Sequence, residues 1–379
     1  RPGVGARLRG GARRDGARIL RGRRVSDATG VAWREMAPRR IARVGPAAPA
    51  DSAHPGLPQI EAAAARIDAH VVRTPVEALR IEGLHALAKL EALQHTGSFK
   101  LRGAASRMLT LDARQRAAGV VAASSGNHGR AVAHVAAQLG VPAVICVPSW
   151  VDAVKLEAMR ESGAEIHMEA DSYDGAALAA DRLAAERGLA VVHPFDDPEV
   201  IAGQGTIGLE LTEQEPALDV VLIPLSGGGL CAGIAAAVRA RSPGTTLIGV
   251  SARNAAVLHN CLLAGRRMDV AERPTLASAL SGGLGERNDH SLAMVASLLD
   301  EAWLVDEDEI ARAMLWGAER LGTTVEGGGA VALAPLLAPW SASSFRRFSA
   351  HGDPPRVAAI VSGANVDEVM LERARALAA

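Results

Sequence analysis

Short β-branched runs alternate with alanine-rich stretches of helical period, and this alternation constrains the chain more than any other feature. Residues 120–124, 143–148, 165–169, 190–193, 220–225, 247–251 and 357–361 are apolar or nearly apolar runs bounded by turn residues, the pattern of strands buried on both faces. Between them, residues 128–139, 152–162, 173–187, 199–214, 229–240 and 254–264 carry helical periodicity. A strand followed each time by a covering helix implies parallel sheets, so the expected class is α/β, with three-layer α/β/α lobes and ligands at the carboxyl ends of strands. About 320 ordered residues exceed one comfortable core, so two lobes are expected. No repeat of 20–50 residues is visible, which argues against a solenoid. Residues 339–355, rich in Ser, Arg and Pro, read as a surface excursion before the last strand.

Composition narrows the class further. With 49% hydrophobic and 22% charged residues and a net charge of −1, wholesale disorder is excluded. No uncharged apolar run reaches the length of a membrane span. Cys146, Cys231 and Cys261 sit inside apolar patterns without CxxC spacing or a His partner, so neither disulfides nor a bound metal is expected, and a reducing cytoplasm fits. Only Lys89, Lys100 and Lys155 stand against 38 arginines. We read that excess as codon composition, not nucleic-acid affinity, and any catalytic lysine must be one of the three. Residues 1–50 hold 13 arginines and three acids in a Gly/Ala/Pro-rich, weakly periodic stretch, for which a disordered tail is expected. Met36 is a plausible start for the folded protein, and the tail is set aside in reading the fold.

Three segments carry chemistry. In the first, Thr96, Gly97 and Ser98 form a turn and cap that should place Lys100 in the first turn of a helix. There the helix dipole and neighbouring Arg102 would oppose an ammonium and lower its pKa, which suits a Schiff-base lysine. The bland alternative is a solvated surface lysine. The second runs Ser124, Ser125, Gly126, Asn127, His128, Gly129, between a buried strand and a helix. Successive amides, two hydroxyls and a carboxamide there make an anion cradle able to dock a carboxylate, or else an ordinary capped connection. His128 has no second ligand at metal-binding spacing. In the third, Ser226, Gly227, Gly228, Gly229 and Leu230 follow a strand and open a helix, so that amide donors face a phosphate dianion, unless the turn is purely structural. It lacks the spacing of dinucleotide and P-loop fingerprints, so the phosphate need not belong to a nucleotide.

Together these segments resemble the fold-type-II pyridoxal-phosphate enzymes, specifically the threonine/serine dehydratases, from about Ile60 to about Val369. The Ser-Phe-Lys-x-Arg-Gly-Ala box, the Ser-Ser-Gly-Asn-His-Gly box, His193-Pro-Phe-Asp-Asp-Pro198, Ile201-Ala-Gly-Gln-Gly-Thr206 and the glycine loop stand in that family's order. The resemblance implies a tryptophan synthase β-like architecture, pyridoxal 5′-phosphate as cofactor and a homodimer. It implies that Lys100 holds the cofactor covalently and then acts as base, with Phe99 beside the ring. Asn127 then holds the ring's phenolic oxygen, Ser226 to Leu230 cradle the phosphate, Ser362 faces the pyridine nitrogen, and Ser124 to His128 bind the substrate carboxylate. The implied activity is α,β-elimination on a small hydroxy amino acid of the L-threonine or L-serine type, giving a 2-oxo acid and ammonia.

Departures from the family pattern bear on substrate. The glycine loop opens with Ser226 where a fourth glycine is usual, the usual Glu-Pro-Ser/Ala-Gly-Ala reads Glu326-Gly-Gly-Gly-Ala330, and Arg130 replaces the usual Gln. Residues 250–256 lack the carboxylate of the racemase branch's cation site, so Mg²⁺ is not expected. Val250 and Ser251 together with residues 276–285 look like those of hydroxyectoine-utilisation dehydratases, making an ectoine-derived amino acid an alternative substrate. Ser125 stands where serine racemases carry an acid/base hydroxyl, so serine or aspartate racemisation is another alternative, and a catalytically silent cofactor-binding module a third. The expected lobes are 112–192, inserted into a larger one of 51–111 and 193–379. With 14 residues after Asn365, no C-terminal regulatory domain is expected.

Overall fold

The computed structural model describes residues 40–42, 54–124, 126–149, 151, 153–170, 172–271, 273–285, 288–349 and 353–378. Two sheets organise them. Strands β1 (Arg40–Ala42), β2 (Val76–Leu79) and β3 (His85–Leu90) come first in the chain, followed by β4 (Val120–Ala123), β5 (Ala143–Pro148), β6 (Glu165–Ala170) and β7 (Ala190–Val191). After these come β8 (Val220–Pro224), β9 (Thr246–Ala252), β10 (Glu301–Val305) and β11 (Arg356–Val361). The seven-stranded sheet has the order β1-β10-β9-β8-β11-β3-β2 and the four-stranded sheet the order β6-β5-β4-β7. All pairings are parallel except at the two edges of the larger sheet, where β1 and β2 run antiparallel.

The uninterrupted apolar strands follow from burial on both faces. In β8, Val220 and Leu222 enter one cluster with Val357 and Trp303, while Val221 and Ile223 enter the opposite one with Ile234 and Val238. In β4, Val120 and Ala122 pack against Val132 and Val135, and Val121 and Ala123 against Ala176 and Leu183. The covering helices end where the sequence supplies a left-handed glycine: Asn127–Leu139 at Gly140 and Tyr173–Arg187 at Gly188.

Four strands were not expected from the sequence. β3 and β10 each contain a buried charged residue, Lys89 and Glu301, that interrupts the apolar signal. β2 is a half-exposed edge. β1 lies within residues 1–50, the stretch expected to be a disordered tail, and the rest of that stretch lies outside the described residues. The Arg40 guanidinium stands 4.4 Å from the Trp303 ring and 5.2 Å from that of Trp340, which gives this edge strand an anchor. Nor are residues 339–355 simply a surface excursion: Phe345 is fully buried, its ring 5.4 Å from that of Trp303. Among the described residues no helix is long and apolar enough to cross a membrane.

Candidate active site

The loops leaving the carboxyl ends of β4, β8 and β11, and the helix that follows β3, converge on one cavity of about 700 Å³. Lys100 and Phe99 line it, with Ser124, Gly126, Asn127 and His128 from β4, Ser226 to Leu230 from β8, and Ser362 from β11. Ser125 lies outside the described residues. The separate motifs of the sequence are therefore parts of one site.

Lys100 opens the helix Lys100–Leu109 as expected, but Ser98 does not cap it: Phe99 occupies that position and no side chain accepts from the helix. The Lys100 ammonium donates to Pro194 O at 2.7 Å and lies 5.2 Å from the Phe99 ring centroid. Burial pushes its pKa down to about 8, against the opposing pull of Glu326. Arg102 is not the cause expected from the sequence. It is fully buried and turns away, binding Glu91 Oε2 at 2.8 Å and Glu210 Oε1 at 2.6 Å. Lys89, also fully buried, meets Glu210 Oε2 at 2.6 Å. The Arg and one of the three lysines thus belong to a structural ion cluster beneath the helix.

The glycine loop is held from behind by hydroxyls. Ser251 Oγ donates to Leu225 O at 2.6 Å, Ser226 Oγ to Leu280 O at 2.9 Å and Ser291 Oγ to Gly227 O at 2.7 Å. Two of these occupy carbonyls at the loop, while the first amides of the helix Gly229–Arg241 have no intrahelical acceptor and remain for an anion. Gly228, at φ 94°, turns the chain into that helix, and a Cβ at Gly229 would stand 2.8 Å from Phe195 Cα. The His-Pro-Phe-Asp-Asp-Pro box supplies the rest. Asp197 caps the helix Pro198–Gln214, Asp196 accepts from the amides of Asp289, His290 and Ser291, and Pro194 lends its carbonyl to Lys100. The clamping roles of Ser251, near the end of β9, and of Ser291, at the start of the helix Ser291–Leu298, were missed from the sequence, since a lone serine carries no signal of what it will face.

On the other side, Asn127 Nδ2 donates to Glu326 Oε1 at 2.6 Å, and its Oδ1 accepts from Asn365 Nδ2 at 2.7 Å. Burial and the nearby Lys100 charge push the His128 pKa down to about 3, although its bond to the Val192 carbonyl opposes this. Its Nε2 must then donate to Val192 O at 2.8 Å, which leaves Nδ1 a buried acceptor without a partner. Ser362 Oγ donates to Gly328 O at 3.2 Å. Ser124 Oγ accepts from the Gly126 amide at 3.1 Å, tightening the turn before Asn127.

These residues fit pyridoxal phosphate. The glycine loop offers a dianion unpaired amides at a helix start, Lys100 in the cavity is depressed in pKa as an aldehyde-trapping amine requires, and the volume admits a ring with an amino acid. Among the described residues no group of three or more His, Cys, Asp or Glu side chains could hold a metal ion. The model of the family described as "Pyridoxal-phosphate dependent enzyme" matches residues 67–363. A putative threonine dehydratase of Sinorhizobium fredii is 42% identical over 315 residues, 82% of this chain and 92% of that one. The L-threonine ammonia-lyase of Thermotoga maritima is 38% identical over 77% of this chain and 70% of its own. The structure of maize serine racemase superposes with a TM-score of 0.77 at 34% identity, covering 85% of this chain and 97% of that one.

Proposed function

Since the chain belongs to the pyridoxal-phosphate-dependent enzymes, with pyridoxal phosphate as its cofactor, we propose that it is an ammonia-lyase for a small hydroxy amino acid of the L-threonine or L-serine type. The observation that carries this reading is the convergence of a pKa-depressed lysine, a phosphate cradle and a carboxylate cradle on one cavity. Pyridoxal phosphate, when bound, supplies an aldehyde that condenses with amines and a ring that withdraws electrons from Cα.

The chain's own residues do the remainder. Lys100 is the covalent anchor, and its Nζ, poised near the working pH, takes the proton from the substrate Cα. Ser226 to Leu230 would bind the phosphate through backbone amides, and Asn127 Nδ2 would donate to the ring's phenolic oxygen. Phe99 would pack beside the ring, and Ser362 would offer the ring nitrogen a neutral hydroxyl, not a carboxylate. The turn from Ser124 to His128 binds the substrate carboxylate at the start of the helix Asn127–Leu139. The Cα proton and the β-hydroxyl leave together as water, and a second water hydrolyses the released enamine, through its imine tautomer, to a 2-oxo acid and ammonia.

The similarity to a serine racemase supports a second reading, with Ser125 as the acid/base hydroxyl. We also propose a cytoplasmic homodimer serving amino-acid breakdown, in which residues 112–192 form one lobe and residues 51–111 with 193–379 the other. The ectoine-derived substrate rests on the likeness of Val250, Ser251 and residues 276–285 alone. Reconstituted protein incubated with L-threonine and with L-serine should release ammonia and 2-oxo acid in equal amounts. Accumulation of the D-amino acid instead favours the racemase reading, and bound cofactor without product from either substrate overturns both.

A further inference from the structure

We infer that Arg130 is a positioning residue that, together with the Thr96 carbonyl, fixes which end of the Asn127 side-chain amide faces the cavity. Arg130 Nη1 donates to Asn365 Oδ1 at 2.8 Å. Asn365 Nδ2 donates in turn to Thr96 O at 2.9 Å and to Asn127 Oδ1 at 2.7 Å. A guanidinium has only donors and a carbonyl only acceptors, so the two ends of the Asn365 amide are assigned without ambiguity. Asn127 Oδ1 is thereby committed to accepting, and Asn127 Nδ2 is the end left for the cavity, where Glu326 Oε1 receives it at 2.6 Å. Gly97, at φ 72°, admits this arrangement, since a Cβ there would lie 2.5 Å from Asn365 Oδ1.

Arg130 also sits in the first turn of the helix Asn127–Leu139, where the dipole disfavours a cation, and the bond to Asn365 gives that placement a purpose. A glutamine at this position could offer either end of its own amide and would leave the Thr96 carbonyl alone to orient Asn365.

The inference rests on the reading that Asn127 Nδ2 holds the cofactor's phenolic oxygen. A negatively charged oxygen is attracted by N–H and repelled by a carbonyl oxygen, so the orientation of this amide decides the sign of the contact. The test compares Arg130→Met, Arg130→Lys and Asn127→Ala in the full chain, stripped and reloaded with pyridoxal phosphate. The dissociation constant and visible absorption maximum are recorded, together with the melting temperature of each apoprotein.

Arg130→Met should weaken cofactor binding by about three- to tenfold, the worth of one hydrogen bond. It should also move the absorption maximum in the same direction as Asn127→Ala does. Arg130→Lys, again a pure donor, should restore both. If Asn127→Ala moves them and Arg130→Met changes only the apoprotein melting temperature, or nothing, the inference fails while the role of Asn127 stands. Failure of Arg130→Lys to rescue also overturns the inference, and an Asn127→Ala protein that binds and absorbs like the parent removes both readings.

Discussion

Two glycines in the two anion cradles should respond to alanine in opposite ways. At Gly229 an added Cβ would stand 2.8 Å from Phe195 Cα and nearer still to Phe195 O, both backbone atoms that no rotamer change can withdraw. Forcing that backbone aside is overpacking, at about 1–3 kcal/mol, and we take the upper end because main chain must move. Alanine returns about 1 kcal/mol as the better helix former, leaving a net loss of about 2 kcal/mol. An unfolding entropy of about 2.1 cal/mol/K per residue over roughly 320 residues then lowers the melting temperature by about 3 °C. The larger effect is local. Phe195 follows Pro194, whose carbonyl holds the Lys100 ammonium at 2.7 Å, so the displaced segment carries the lysine's anchor with it. Cofactor affinity should fall by about tenfold or more, equivalent to about 1.4 kcal/mol. Gly126 has nothing within 4 Å of an added Cβ and an extended φ of −166°, so Gly126→Ala should leave the apoprotein melting temperature unchanged. Differential scanning calorimetry of the apoproteins and titration with pyridoxal phosphate measure both quantities. A Gly229→Ala protein as stable and as tightly loaded as the parent refutes the close packing of the loop on Phe195 as the basis of the cradle.

Other outcomes follow from the same geometry. The rate at which apoprotein captures pyridoxal phosphate should track the neutral Lys100 amine, rising with pH and levelling above about 8, whereas a plateau reached only near the ordinary 10.5 would show an unperturbed lysine. Ser291→Ala strips the donor from Gly227 O and should weaken cofactor binding by about three- to tenfold, read by equilibrium titration; unchanged affinity would show that the loop holds itself. Burial works to raise the Glu91 pKa, but the Arg102 charge and its hydrogen bonds hold it below the ordinary carboxylate value. Its contribution to stability is therefore complete at neutral pH and is lost as acid titrates it below that value. Glu91→Gln leaves Arg102 buried with one of its two carboxylates and should cost about 3–5 kcal/mol, seen as a collapse of the denaturation midpoint at pH 7. A midpoint within experimental scatter of the parent would mean that Glu210 alone suffices for Arg102.

How much of this was legible in the sequence depended on whether the signal was local. β4, β5, β8, β9 and β11 were readable because strands buried on both faces leave continuous apolar runs, and the glycine-rich and Ser/Asn-rich boxes at their ends announce tight turns. β3 and β10 were hidden because Lys89 and Glu301 satisfy their charges through partners far along the chain, among them Glu210 for Lys89 and Arg347 for Glu301. The same limit misassigned Arg102: two positions from Lys100 in sequence, it is energetically tied to Glu91 and Glu210, and burial lowers the lysine's pKa instead. The hydroxyl clamps of Ser251 and Ser291 and the bond from Arg130 to Asn365 depend on tertiary proximity that no spacing along the chain encodes.

The most direct test asks whether the amine of residue 100 is the one that joins the cofactor. Protein loaded with pyridoxal phosphate, reduced with borohydride and digested, should yield by mass spectrometry one modified peptide with the pyridoxyl group on Lys100, and Lys100→Ala should yield none. A label on Lys89 or Lys155 instead, or a Lys100→Ala protein that is labelled as fully as the parent, would contradict the account.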